Sequence, residues 1–138
     1  FNIPYNADDE FVREMAALVL STLRKDVKVY LEWTNEAWHT GFEGGKYAQL
    51  QGLQLGLQLG GWYGGDANEA RICYIGYRTG QIARIWREVF GAEADRIVVV
   101  AATQGVWTIV TDKLLSCHGA YKDIDVIGVA PYFGGYDP

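Results

Sequence analysis

An α/β fold with parallel strands is the prediction that the sequence supports most directly. Three short apolar runs, at residues 27–33, 96–102 and 124–130, have the β-branched composition of strands. Segments with helical spacing separate these runs, which implies parallel pairing through right-handed crossovers. The 138 residues suffice for one modest core, so we expect a single domain over residues 1–138.

The N-terminal segment predicts the end of an earlier strand followed by a helix. Phe1 to Pro4 has the composition of a strand tail, and Asn6 is a suitable helix cap before three acidic residues that favour the positive end of a helix. Lys25-Asp26 closes this helix before the strand at 27–33. The apolar positions at helical spacing are Phe11, Met15, Leu18, Val19 and Leu23.

The stretch from Gly41 to Gly65 fits two patterns. Its Leu-Gln alternation from Leu53 to Leu59 is typical of a strand. Its leucines and glutamines also favour a helix, which we predict here, although Gly52 and Gly56 weaken it. The predicted helical face consists of Tyr47, Leu50, Leu53 and Leu57.

The second half of the chain predicts helix, strand, helix and strand. Asp66 and Glu69 form a capping-box pattern, which assigns the dipeptide Asn68-Glu69 to a helix start. That helix ends at Gly91, and a short helix follows from Val106 to Cys117. The continuous apolar run at 96–102 predicts a strand that is covered on both faces.

Composition narrows the range of partners. A net charge of -5 and a pI of about 4.9 argue against nucleic acid or an anionic membrane as partner. No apolar run approaches the roughly 20 residues that a membrane helix needs. Cys73 and Cys117 lack metal-site spacing, and we expect both to be buried apolar residues. The residue pattern implies no metal and no organic cofactor.

Polar and aromatic residues follow each predicted strand, and parallel strands bring their carboxyl ends to one edge. A carboxylate, amides and aromatic rings together suit a sugar, because rings stack on pyranose C–H faces and amides bind hydroxyls. The alternative is that Trp33 and Trp107 belong to the core. The candidates are Trp33, Asn35, Glu36 and Trp38 after the first strand, Thr103, Gln104 and Trp107 after the second, and Pro131, Tyr132 and Phe133 after the third.

A family resemblance rests on the motifs VYLEWTNEAWH and IDVIGVAPYFGG. They resemble the fourth and sixth strand ends of (β/α)8 glycoside hydrolases of the Asn-Glu clan, which includes many cellulases. The opening FNIPYNADDEFVREMAALV is similar to carbohydrate-active barrels, some of them labelled cellulose-binding. The resemblance implies a partial (β/α)8 barrel, from the end of strand three to just past strand six.

The resemblance also implies roles for individual residues in a retaining mechanism. Glu36 would be the general acid/base, and Asn35 would hydrogen-bond the 2-hydroxyl of the sugar. Tyr132 would lie near the second carboxylate, and Trp33 or Trp38 would line one side of a sugar-binding subsite. The partner is thus an oligo- or polysaccharide with β-linkages, and a secreted or periplasmic location is compatible with it.

The pattern departs from the clan in its second carboxylate. Retaining hydrolysis needs one about 5–5.5 Å from the acid/base, and the clan carries it on strand seven. Asp125 and Asp123 lie at the wrong end of a strand, and Asp137 lies in a terminal loop. The chain begins with Phe1 and has little more than half the length of a barrel. We therefore expect a piece of a longer protein that does not hydrolyse glycosides alone.

Two other interpretations remain open at this stage. One is a non-catalytic carbohydrate-binding barrel that keeps the aromatic residues and lacks the strand-seven carboxylate. The other is a doubly wound α/β domain in which Asn35-Glu36 caps the next helix. Two nearby residues also have open roles: His39 is a solvated loop residue or a substrate contact, and Glu32 orients neighbours or pairs with Lys28 or an arginine.

Overall fold

A computed structural model describes residues 1–57 and 65–131, whose strands form one parallel sheet. The strands are β1 (Asn2–Ile3), β2 (Val29–Trp33), β3 (Ile97–Gln104) and β4 (Val126–Ala130). They lie side by side in chain order, with Val29 beside Ile97 and Val100 beside Val126. The predicted α/β fold with parallel pairing is confirmed, and so is the strand that precedes the first helix.

Helices connect consecutive strands, as the alternating pattern predicts. They are α1 (Asp9–Thr22), α2 (Glu43–Gln54), α3 (Asp66–Phe90) and α4 (Thr108–Ser116). Short 3-10 turns at Gly91–Arg96 and Cys117–Lys122 lead into β3 and β4. The helix α3 ends where predicted, because Gly91 follows it with a φ of 52° that glycine adopts without strain.

The sheet is buried on one face and open on the other. Along β3, Ile97, Val99, Ala101 and Thr103 are buried with the helices, while the residues between them are half-buried. The same alternation holds in β2, where Leu31 is buried and Tyr30 exposed. The prediction that strand 96–102 is covered on both faces is therefore wrong for the described residues. The valines on its open face are apolar but only half-buried by the part of the chain that the structure describes.

Two predicted helix caps are wrong by one or two residues. Asp8, not Asn6, caps α1, because its Oδ1 accepts a hydrogen bond from the Phe11 amide at 2.8 Å. Gly65, not Asp66, is the cap of α3, so Asp66 is already helical. The dipeptide Asn68-Glu69 is consequently not part of a capping box.

The packing face of α2 consists of small residues rather than leucines. The predicted helix is present, but Leu50 and Leu53 are exposed, and Gly44, Gly45, Ala48 and Gly52 are buried. A Cβ at Gly52 would lie 2.1 Å from the backbone oxygen of Ala70, so α2 and α3 approach too closely for a larger residue. Residues 58–64 of the predicted helical stretch lie outside the described residues.

The two cysteines form a disulfide, which corrects the expectation of buried free thiols. Cys73 lies on α3 and Cys117 directly follows α4, and the bond joins residues 44 positions apart. Both residues are fully buried, as predicted, but their contact depends on how two distant helices pack. A disulfide is typical of proteins that fold in an oxidising compartment.

Candidate functional site

A cleft of about 560 Å³ lies at the carboxyl ends of β2 and β3, and we call it the main cleft. Glu36 and Trp38 line it from the loop after β2, and Gln104 and Trp107 line it from the end of β3. Four residues that were predicted separately from two strand ends therefore share one concave surface. Parallel pairing explains this convergence, since it places both strand ends at the same edge.

A second, smaller cleft of about 210 Å³ lies on the open face of the sheet. It is lined by Asn35 and Glu32 together with Gly128 and its neighbours in β4. Glu36 and Trp38 also line this smaller cleft, so Glu36 lies at the junction of the two. A ligand in either cleft would therefore lie against the same acidic residue.

The backbone that carries Glu36 is strained. Thr34 and Glu36 have φ values of 52° and 48°, in the left-handed region that side chains with a Cβ rarely adopt. The β-branched Thr34 is held by its amide, which donates to the Ile3 oxygen at 2.8 Å, and by its own oxygen, which accepts from Asn2 Nδ2 at 3.0 Å. Strained residues of this kind cluster at functional sites.

The first turn of α2 supports the same loop. A Cβ at Gly44 would lie 2.9 Å from Oγ1 of Thr34, so glycine lets the helix approach the strained residue. The His39 amide donates to the Glu36 oxygen at 3.0 Å and closes a turn around Ala37 and Trp38. The cap of α2 is Phe42, so the structure does not use Asn35-Glu36 as a helix cap.

The aromatic candidates differ in how much ring they expose. Trp107 is 62% exposed at the rim of the main cleft, which leaves a ring face free for a ligand. Trp33 is 3% exposed and packs against Tyr74 with ring centroids 5.5 Å apart, so it has a core position and no free ring face. Trp38 is largely buried but lines both clefts. Tyr132 lies outside the described residues.

The helix α3 adds two residues that the sequence analysis missed. Asn68 and Arg71 are one helical turn apart and both line the main cleft. The sequence did offer a signal for Asn68, because Asn68-Glu69 repeats the dipeptide Asn35-Glu36. We assigned this repeat to the start of a helix instead. Its neighbour Glu69 is fully buried and accepts a hydrogen bond from Lys113 Nζ at 3.3 Å. Nothing in the sequence around Arg71 indicates its place.

The surroundings of His39 and Glu32 bear on the roles that the sequence leaves open for them. His39 is exposed, lines the main cleft and accepts a hydrogen bond on Nδ1 from the Gly41 amide at 2.8 Å. Glu32 forms no salt bridge within the described residues, and Lys28 pairs with Asp95 instead. Burial raises the pKa of Glu32 above its ordinary value.

The other carboxylates that the sequence analysis weighed lie away from this edge. Asp123 and Asp125 precede β4 and pair with Arg84 and Arg87 of α3, and Asp125 also accepts from the Val99 amide at 2.8 Å. Asp137 lies outside the described residues. In the described ranges, no three His, Cys, Asp or Glu residues are placed to hold a metal ion. No helix there has the length and apolar character to cross a membrane.

The fold and the cleft together define an α/β protein with a candidate ligand site at the carboxyl edge of a parallel sheet. The site combines one carboxylate, two amides, a buried arginine and an exposed tryptophan. The sequence matches no protein-family model, and no characterised protein or solved structure is significantly similar to it.

Proposed function

We propose that the protein is a (β/α)8-barrel glycoside hydrolase of the Asn-Glu clan that acts on β-linked polysaccharide. The strand order supports this barrel assignment, because four parallel strands lie in chain order with the helices packed on one face. A (β/α)8 barrel repeats that arrangement. A doubly wound sheet, in contrast, reverses its strand order and covers both faces.

The position of Glu36 is the observation that carries the proposal. It lies between two clefts at the carboxyl edge, where barrel enzymes have their chemistry. Trp107 offers a ring for stacking on a pyranose, and Gln104 and Asn68 offer amides for its hydroxyls. The strained backbone at Glu36 is a further feature that functional sites share.

In the proposed reaction Glu36 acts twice. Its carboxyl proton passes to the glycosidic oxygen as the C1–O bond breaks and a nucleophilic carboxylate attacks C1. Glu36 then takes a proton from water, whose oxygen displaces that carboxylate from C1 and regenerates both groups. The resemblance assigns the nucleophile to a seventh strand, which is outside the four strands described here. Asn35, beside Glu36 in the smaller cleft, binds the 2-hydroxyl.

The test is Glu36→Gln in the full-length protein, assayed on two β-glycosides that differ only in leaving group. Loss of the acid lowers turnover of the glycoside with the poor leaving group by about 10²–10⁴-fold. Cleavage of the glycosidic bond in an activated aryl glycoside is affected much less, because its leaving group needs little protonation. Glu43→Gln is the control, since Glu43 pairs with Lys46 on α2 outside both clefts. Equal activity of Glu36→Gln and wild type would overturn the assignment.

A non-catalytic carbohydrate-binding barrel is the second candidate. Glu36 is the one carboxylate that lines the main cleft among the described residues, while the exposed ring of Trp107 suits binding without chemistry. This candidate predicts that the full-length protein binds β-linked oligosaccharides and releases no reducing ends. It also predicts that Glu36→Gln changes neither measurement.

A further inference from the structure

Arg71 occupies an unusual position for a charged residue. It lies on α3 one turn after Asn68, lines the main cleft and is only 8% exposed. Its one hydrogen bond within the described residues runs from Nη1 to Oε1 of Gln49, at 3.3 Å. Its Nε is buried and has no hydrogen-bond partner among the described residues. The side chain therefore combines burial with a single hydrogen bond to the part of the chain that the structure describes.

The other arginines of the described chain provide an internal comparison. Each of those six forms a salt bridge with a carboxylate, whereas Arg71 forms none within residues 1–57 and 65–131. The contrast is strongest with Arg78 and Arg96, which are as buried as Arg71. Arg78 binds Asp9 and the Ala7 oxygen, and Arg96 binds Glu93 and three backbone oxygens. The other two buried arginines of the described residues thus each have a carboxylate partner.

An unpaired buried cation is costly, since it loses hydration without gaining an opposite charge. Burial accordingly lowers the pKa of the Arg71 guanidinium. Glu36 lines the same cleft but forms no salt bridge with Arg71. An anion bound in the main cleft would compensate the charge, and the planar guanidinium presents paired donors that match a carboxylate.

We propose that Arg71 binds an anionic substituent, a carboxylate or a sulfate, on a sugar held in the main cleft. The proposal rests on the proposed carbohydrate function and narrows its substrate class to acidic glycans. The neighbours of Arg71 suit the rest of such a ligand. Trp107 would stack on the sugar ring, and Asn68 and Gln104 would bind its hydroxyls.

The test is calorimetric titration of the full-length protein with three β-1,4-linked oligosaccharides of equal length. These are an oligoglucuronate, a neutral cello-oligosaccharide and a sulfated cello-oligosaccharide. Free glucuronic acid and inorganic sulfate are titrated separately. The variants are Arg71→Met, which keeps the length of the side chain, and Arg71→Lys, which keeps its charge. Arg13→Met is the matched control, because Arg13 is exposed on α1 and its closest carboxylate contact, with Glu88, is at the 4.0 Å limit.

Wild type is expected to bind at least one anionic oligosaccharide about tenfold more tightly than the neutral one. Arg71→Met removes that difference, Arg71→Lys keeps part of it, and Arg13→Met keeps all of it. The more favoured of the two anions identifies the substituent. Tight neutral binding with no preference for either anion, or a preference that survives in Arg71→Met, would overturn the anion site and leave the proposed function intact.

Failure of the proposed function gives a different result. In that case no oligosaccharide binds wild type, whereas glucuronic acid or sulfate binds with a dependence on Arg71. If no anion binds in any form, the anion site is overturned as well. Arg71→Met is expected to fold, because replacing a buried unpaired charge with an apolar side chain of similar size is often neutral or stabilising. Arg71→Lys provides the second variant if it does not.

Discussion

Gly45 lies so close to the backbone oxygen of His39 that a Cβ at residue 45 would be 2.1 Å from that oxygen. The same position would be 3.1 Å from the oxygen of Ala37. The start of α2 therefore packs directly on the loop that carries Glu36. Because both neighbours are backbone atoms, the loop cannot make room by moving a side chain.

Gly45→Ala should thus displace the loop and lower sugar binding or turnover. We expect a loss of about tenfold or more, since small displacements of positioned groups have large effects on rate. Kinetics and oligosaccharide titration of the full-length protein measure this loss. Gly56→Ala is a useful contrast because no atom of the described residues lies within 4 Å of its Cβ position, although its φ of 64° adds backbone strain. Unchanged binding and turnover in Gly45→Ala would show that the loop tolerates movement.

Trp107→Ala should weaken oligosaccharide binding by about tenfold without a comparable loss of stability. The ring is mostly exposed at the rim of the main cleft, so its removal opens no cavity in the core. Aromatic rings at binding sites often contribute this much or more. Tyr121→Ala is the control, since Tyr121 is similarly exposed but lies outside both clefts. Equal loss of binding in the two variants would argue against a stacking role.

Removal of the disulfide should lower the free energy of unfolding by about 2–5 kcal/mol. The bond joins Cys73 and Cys117, so it restricts a long stretch of the unfolded chain. Denaturant unfolding of the Cys73→Ala/Cys117→Ala variant, with and without reductant, measures the effect. The variant should not respond to reductant, whereas the oxidised wild type should be destabilised by it. As a further check, free thiols are counted in wild-type protein that was produced in an oxidising compartment and denatured without reductant. Finding two free thiols would contradict the disulfide.

Glu32 should make the stability of the protein depend on pH. Burial raises its pKa in the folded state, so its stabilising contribution is full below the usual glutamate value of 4.5. That contribution is lost as pH rises through the raised pKa, because the buried carboxylate then ionises. Glu32→Gln should therefore gain stability relative to wild type at about pH 8 and match it more closely at about pH 3.5.

Urea unfolding of wild type and Glu32→Gln at several pH values measures this difference. Glu14→Gln, which replaces an exposed glutamate on α1, is the control and should follow wild type throughout. A constant difference between Glu32→Gln and wild type across the pH range would mean that the glutamate contributes through packing or hydrogen bonding rather than through its charge.

Local signals determined the strands and helix ends that were predicted correctly. The β-branched runs before Trp33 and Gln104 indicate strands because such side chains pack well on a pleated surface. Gly91 ends α3 because it adopts a positive φ at little cost. The convergence of Glu36 and Trp107 also followed from the sequence, since alternating helices and strands imply parallel pairing with all carboxyl ends at one edge.

Other features depended on which helices meet, and no local pattern encodes that. The pairing of Cys73 with Cys117 and the burial of Glu69 require α3 and α4 to pack together. The small-residue face of α2 reflects its close approach to α3 at Ala70. Helical periodicity reports which residues are apolar, but close helix packing selects small ones, so Leu50 and Leu53 were assigned to the wrong face.

The sequence by itself thus determined the α/β class, the parallel sheet and the strand ends that carry Glu36, Trp38, Gln104 and Trp107. Tertiary structure alone decided that Trp33 packs in the core, that Asn68 joins the cleft and that Arg71 is buried there with no carboxylate partner among the described residues. The physical reason is distance along the chain. Strand and helix preferences arise from near neighbours, whereas burial and charge pairing depend on residues that folding brings together from separate elements.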